Sequence, residues 1–163
     1  MKKLMAIVAC TVLVGCDYTV PLVKTSEIGI DSRVVGLWQR SQGDGQTESL
    51  LVLPLSKQDY LVSFPAGSTN AMFARACLCR SVDKTLVQLE WVGTVHAKLP
   101  EDSRVFQFAE YSVAGDTITI RLLNADLVKR DVKSPAELAK AIADNKEKPD
   151  LFRNEMVFRK VKN

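Results

Sequence analysis

Cysteine is scarce in this chain: four in 163 residues, at positions 10, 16, 77 and 79. That is no spread, even framework of the kind that staples small secreted domains, so a hydrophobic core has to hold the fold. Histidine is scarcer still, with His96 alone, in a stretch through Pro100 that reads as an exposed loop. A catalytic triad needs a histidine beside a nucleophile and an orienting acid, and no Gly-x-Ser-x-Gly marks such a serine. The chain reads as non-enzymatic. Zinc-ligand spacing, a phosphate-cradling glycine loop and a dinucleotide fingerprint are missing too, so no cofactor and no metal are expected. Glu101-Asp102 sits in a polar loop and reads as solvated. No apolar run reaches the roughly 20 residues that a bilayer-spanning helix requires. Strong charge of one sign is also lacking, with 22 basic residues against 19 acidic. Nucleic-acid binding needs a basic patch, and Tyr18, Trp38, Tyr60, Trp91 and Tyr111 are too dispersed for a stacking platform. Nucleic acid is excluded as a partner.

What is present begins at the first residue. Lys2 and Lys3, the apolar run Leu4 to Val14, and the small residue Gly15 before Cys16 are the three parts of a secretory signal. The ending Leu13-Val14-Gly15-Cys16 closely resembles the lipobox of bacterial lipoproteins. That resemblance implies a diacylglyceryl group on the Cys16 sulfur, removal of residues 1–15 and acylation of the new amino terminus. Each buried methylene contributes about 0.8 kcal/mol and a single chain holds only reversibly, so three chains would make attachment permanent. The implied partner is a lipid bilayer, and the implied location is the periplasmic face of the cell envelope. Asp17 resembles the residue that retains such proteins in the inner membrane of enterobacteria, which favours the inner over the outer membrane. Removing residues 1–15 takes away two lysines and no acid, leaving 20 basic against 19 acidic residues. That near-neutrality offers no polybasic reason to lie flat on anionic lipid.

The remaining length suits one domain. Residues 16–33, with Pro21, Gly29 and many polar residues, read as a lipidated terminus and tether. From Asp17 to Arg33 the chain would reach roughly 55 Å if extended, although Leu22, Val23 and Ile28 could pack on the domain. Residues 34–163 read as a single β domain. Short β-prone runs alternate with turn signals: Val34–Ser41, Glu48–Leu55, Tyr60–Phe64, Ala71–Arg80, Thr85–Val92, Arg104–Ser112, Thr117–Leu123 and Glu155–Val161. Val87, Leu89 and Trp91 fall on one face with Gln88 and Glu90 on the other. Ile118, Ile120 and Leu122 likewise oppose Thr117, Thr119 and Arg121, as a sheet wrapped round one core requires. Before the last strand, Ser134-Pro135-Ala136-Glu137 predicts a capped helix start, with Leu138 and Ile142 on one face and Asn145 at the close. Asn124–Asp131 suggests an earlier helical turn.

The fold class that follows is mainly β: an antiparallel barrel or strongly curved sheet of about eight strands with a short helical insertion before the last. Gly36-Leu37-Trp38 on the first strand resembles the start of lipocalin-like and related small barrels, in which the tryptophan closes one end. The strand–helix–strand ending, from Asp116 through Ser134-Pro-Ala-Glu-Leu to Arg159, is similar to that of uncharacterised bacterial lipoproteins.

Cys77-Leu78-Cys79 is the sharpest chemical feature. Residues two apart on a strand share a face, so the two sulfurs could be small buried hydrophobes, a strained disulfide, or part of a soft-metal site with Met72, Met156 or His96. Arg75 shares their face; turned inward, it would need a carboxylate or an anionic ligand. Trp38, Arg75, Cys77 and Cys79 together are the candidate ligand or thiol site. Arg40, Arg121 and Arg159 are expected on an outward, solvated face. Two functions compete: binding of a small apolar ligand or lipid inside the barrel, or a protein-interaction, assembly or inhibitor module of the envelope whose barrel is filled.

Overall fold

The computed structural model describes residues 17–100 and 104–162. The signal segment, Cys16 and the Glu101-Asp102 pair lie outside the described residues. Eight strands form a closed antiparallel barrel in chain order, loosely lipocalin-like: β1 (Gly36–Ser41), β2 (Thr47–Pro54), β3 (Asp59–Phe64), β4 (Met72–Ser81), β5 (Lys84–Thr94), β6 (Phe106–Ala114), β7 (Thr117–Leu123) and β8 (Phe152–Lys160). The helix α1 (Pro135–Asp144) precedes β8, as the sequence leads one to expect. The closing seam is short, with only Trp38↔Lys160 and Gln39↔Arg159 pairing β1 to β8.

The period-two alternation sorts side chains as expected. Val87, Leu89 and Trp91 join Ile118, Ile120, Trp38 and Phe158 in the core along the barrel axis. Trp38 is fully buried at the end where β1 begins, and its indole N–H donates to the Val34 carbonyl at 2.8 Å. Gly36 makes this approach workable: its φ is +136°, and a Cβ there would lie 3.1 Å from Lys160 Cε, whose ammonium sits 5.1 Å from the Trp38 ring. Left-handed φ values favour glycine because it has no Cβ to clash.

A second core lies outside the barrel wall. Cys79, Leu86, Phe108, Leu123 and Phe152 point outward from their strands, and Leu138 and Ile142 of α1 cover them together with Tyr18 and Val128. Ser134 caps the helix by accepting from the Glu137 N–H. The Glu137 carboxylate accepts from the Lys133 N–H at 2.8 Å, so the box closes one residue earlier than the sequence pattern suggests. Asn124 to Val128 forms the earlier helical turn, with the Val128 N–H bonded to the Asn124 carbonyl.

Residues 17–33 differ from the expected tether. They form a strap bound to the barrel wall. The backbones of Tyr18 and Phe106 pair as a short antiparallel bridge, and the buried Tyr18 hydroxyl donates to the Val128 carbonyl at 2.7 Å. The Gln88 side chain, on the outer face of β5, accepts from the Leu22 and Val23 N–H groups and donates to the Val23 carbonyl. Ser26 then donates to the Leu78 carbonyl, and Ile30 N–H to that of Lys57. The physical reason is satisfaction of polar groups: each strap bond pairs a backbone group that burial would otherwise leave unpaired. A 3-10 turn, Ser32–Val34, follows Asp31 and leads into β1.

Candidate functional site

Where the strap crosses the end of the barrel, it does not fill the opening. The ladder between β5 and β6 runs only from Val87↔Ala109 to Glu90↔Phe106, so the start of β5 and the end of β6 splay apart. Into this gap opens a cleft of about 570 Å³, within the range of small-molecule sites. Its apolar surfaces come from Ile28 and Ile30 of the strap and from Leu78, Tyr111 and Val113 of the wall. Its polar groups are Asp31, Arg33, Lys84 and Glu110.

Asp31 organises the strap side. Its backbone N–H donates to the Tyr60 hydroxyl, its carboxylate accepts from the Tyr111 hydroxyl at 3.1 Å, and Arg33 pairs with the same carboxylate at 2.7 Å. The hydrogen bonds from Arg33, and then from Tyr111, hold the Asp31 carboxyl below the usual carboxylate range. Burial, and then the neighbouring Asp31 charge, push the Tyr111 phenol well above its ordinary value. On the outer lip, Lys84 and Arg121 both pair with Glu110, at 2.9 and 2.5 Å. The cleft thus joins an apolar floor to a rim of paired charges, a surface suited to a small molecule with one apolar and one polar part.

The residues singled out from the sequence do not converge here. The barrel wall separates Trp38, which faces the axis, from Arg75, Cys77 and Cys79, which face outward. Arg75 does share the cysteines' face, but that face is the outer one, and Arg75 is exposed there in a 3.0 Å ion pair with Asp59. Cys77 and Cys79 are both free and buried. Cys77 lies against the Gln88 amide that holds the strap, and Cys79 against the Leu86 carbonyl. Burial raises both thiols, Cys79 to about 12, so neither is a ready nucleophile. Among the described residues no group of three or more His, Cys, Asp or Glu is placed to hold a metal ion. His96 is exposed in the loop after β5, its Nε2 at 3.0 Å from the Thr69 carbonyl.

Arg40 departs from expectation. It points into the barrel at the opposite end, its guanidinium 5.1 Å from the Phe158 ring and 5.9 Å from the Phe64 ring, paired with Glu48 at 2.6 Å. Strand alternation explains this, because Arg40 shares the face of Trp38. Arg121 stays outward in its pair with Glu110, and Arg159 is exposed.

Asp17 is buried and paired with Arg130 at 2.8 Å; burial pushes its carboxyl up, and Arg130 works against that shift. The cleft residues Asp31, Tyr111 and Lys84, and Tyr60, which accepts from the Asp31 N–H, escaped the sequence reading. The available signals were the two tyrosines at inward alternation positions and the apolar Ile28 and Ile30 in an otherwise polar segment. Compared with known proteins, the chain matches no family model, no curated protein and no solved structure.

Proposed function

We propose that this chain is a lipid-anchored bacterial envelope protein, attached through Cys16, that binds a small amphipathic molecule in the cleft beneath its strap. The observation that supports the ligand reading is the cleft of about 570 Å³ between the strap and the splayed β5 and β6. The barrel axis itself is occupied by buried side chains, with Trp38, Tyr60, Trp91 and Phe158 meeting there. The ligand position therefore moves from the barrel interior, where the sequence reading put it, to its strap-covered mouth. Attachment through Cys16 rests on the lipobox resemblance, and the inner membrane on Asp17.

The test is titration with the fluorescent amphiphile N-phenyl-1-naphthylamine. Saturable one-to-one binding is expected, weakened at least about tenfold, or 1.4 kcal/mol, by Val113→Trp, which fills the cleft. Unsaturable binding, or binding untouched by Val113→Trp in a folded variant, contradicts the proposal. The filled axis also supports a second reading, a module that works through its outer surface on another envelope protein. Absence of probe binding together with specific crosslinks to one partner in intact cells would select it.

A further inference from the structure

The strap leaves no slack between the acylation point and the folded domain. Asp17, the residue after Cys16, already donates its N–H to the Phe106 carbonyl at 3.0 Å, and it is buried against the flank of the barrel. Consecutive Cα atoms are about 3.8 Å apart, so chains carried by Cys16 would enter the bilayer within a residue of the barrel wall. The described surface around this point carries three arginines, Arg130 paired with Asp17 and Arg153 with Asp126. Arg104 and Arg153 are close enough to act on the Asp17 charge. Trp91 N–H bonds the Val105 carbonyl, which places the next residue, Val92, beside the start of β6; Val92 is 44% exposed, and Val95, in the loop after β5 at the same end of the barrel and bonded through its N–H to the Ala71 carbonyl, 46%. Exposed aliphatic side chains beside arginines match the acyl–headgroup boundary of a bilayer.

We infer that the domain does not float on a tether but lies with the flank around Asp17, Val92, Val95 and Arg104 directly on the phospholipid surface. The inference rests on acylation of Cys16. It also orients the cleft. Asp17 docks at Phe106, the first residue of β6, whereas the cleft is lined by Tyr111 to Val113 near its end. Five residues of strand separate Phe106 from Tyr111, roughly 17 Å at 3.3–3.4 Å each. With the flank on the bilayer, the cleft at the far end of β6 would stand on the water side.

The experiment uses the full acylated chain in vesicles of phosphatidylethanolamine and phosphatidylglycerol, with an environment-sensitive dye on Val95→Cys or on Ser112→Cys. Expected is a blue-shifted emission at position 95 that lipid-borne quenchers suppress, and a water-like emission at 112 that they leave alone. A flexible Gly/Ser insert between Cys16 and Asp17 should abolish the shift while palmitate labelling persists. Water-like emission at both positions in a palmitate-labelled protein overturns the inference and leaves the anchor standing. A chain that takes up no palmitate removes the anchor, and the inference falls with it.

Discussion

The two cores of this protein are built from the same kinds of side chain by different means. The axial core forms because every second residue of a strand faces inward, so that Leu50 and Val52, Val62 and Phe64, Ala74 and Ala76 meet around Trp38. The flank core forms because the outer face of the same wall is also apolar, at Cys79, Leu86, Phe108 and Leu123, and borrows its cover from α1 and the strap. A sheet with two apolar faces has to be covered on both. The axial core belongs to the barrel's own ladders, while the flank core hangs on non-adjacent segments held by a few polar bonds. The axial core should therefore govern global stability, and the flank core should open first.

Truncation of each core tests that ranking. Trp38→Ala should cost about 3–5 kcal/mol of unfolding free energy and lower the denaturation midpoint of all probes together. Leu138→Ala, which uncovers the flank, should cost about 2–3 kcal/mol and open α1 to hydrogen exchange while the strand amides stay protected. Equal loss of protection throughout in the second variant would merge the two cores into one cooperative unit.

Gln88→Ala removes three strap bonds at one stroke. A cost of about 1–3 kcal/mol follows from leaving backbone groups unpaired. The buried Cys77 thiol should then react with a disulfide reagent many times faster than in the parent, with Cys79 under the helix lagging behind. Parallel exposure of both thiols would show that strap and helix move as one.

The strap's latch should respond to acid. Because the Asp31 carboxyl is held below its ordinary value of 3.8, its contribution is complete above that value and is lost as pH falls through the lower folded-state value. Thermal midpoints should decline for the parent as pH falls below about 3.8, and Asp31→Asn should flatten part of that slope. The smallest effect is expected at the turn between β4 and β5, where Val82 has φ +56°. A β-branched residue is strained there, so Val82→Gly should raise stability by about 0.5–1 kcal/mol in chemical denaturation, without touching either core.

The barrel was legible because period-two alternation survives in most strands, and because Gly36 and Trp38, two residues apart, match the start of small lipocalin-like barrels. Thr117–Leu123 was readable to the residue, and the helix was readable from Ser134 and Pro135. The flank core was legible only as the chance that Leu22 and Val23 pack on the domain, because nothing periodic marks a strap: Tyr18, Val20, Leu22 and Val23 are scattered among polar residues, and only the outward apolar face of β4 to β7 gives them something to cover. The cleft was hidden for a related reason. It arises where two strands stop pairing, and the chain carries no local signal at Val87 or Ala109 that the ladder ends there. Arg40 was misjudged because a charged residue in a strand is ordinarily solvated, whereas here two aromatic rings and Glu48 receive it.

The most direct test of the account is intact-mass analysis of the mature protein from bacterial membranes, combined with palmitate labelling of the parent and of Cys16→Ser. The account predicts a chain that begins at Cys16, carries three acyl groups and partitions with membranes, and a Cys16→Ser chain that takes up no label and is released from them. An unlabelled parent, or a Cys16→Ser chain that fractionates identically to it, would contradict the account.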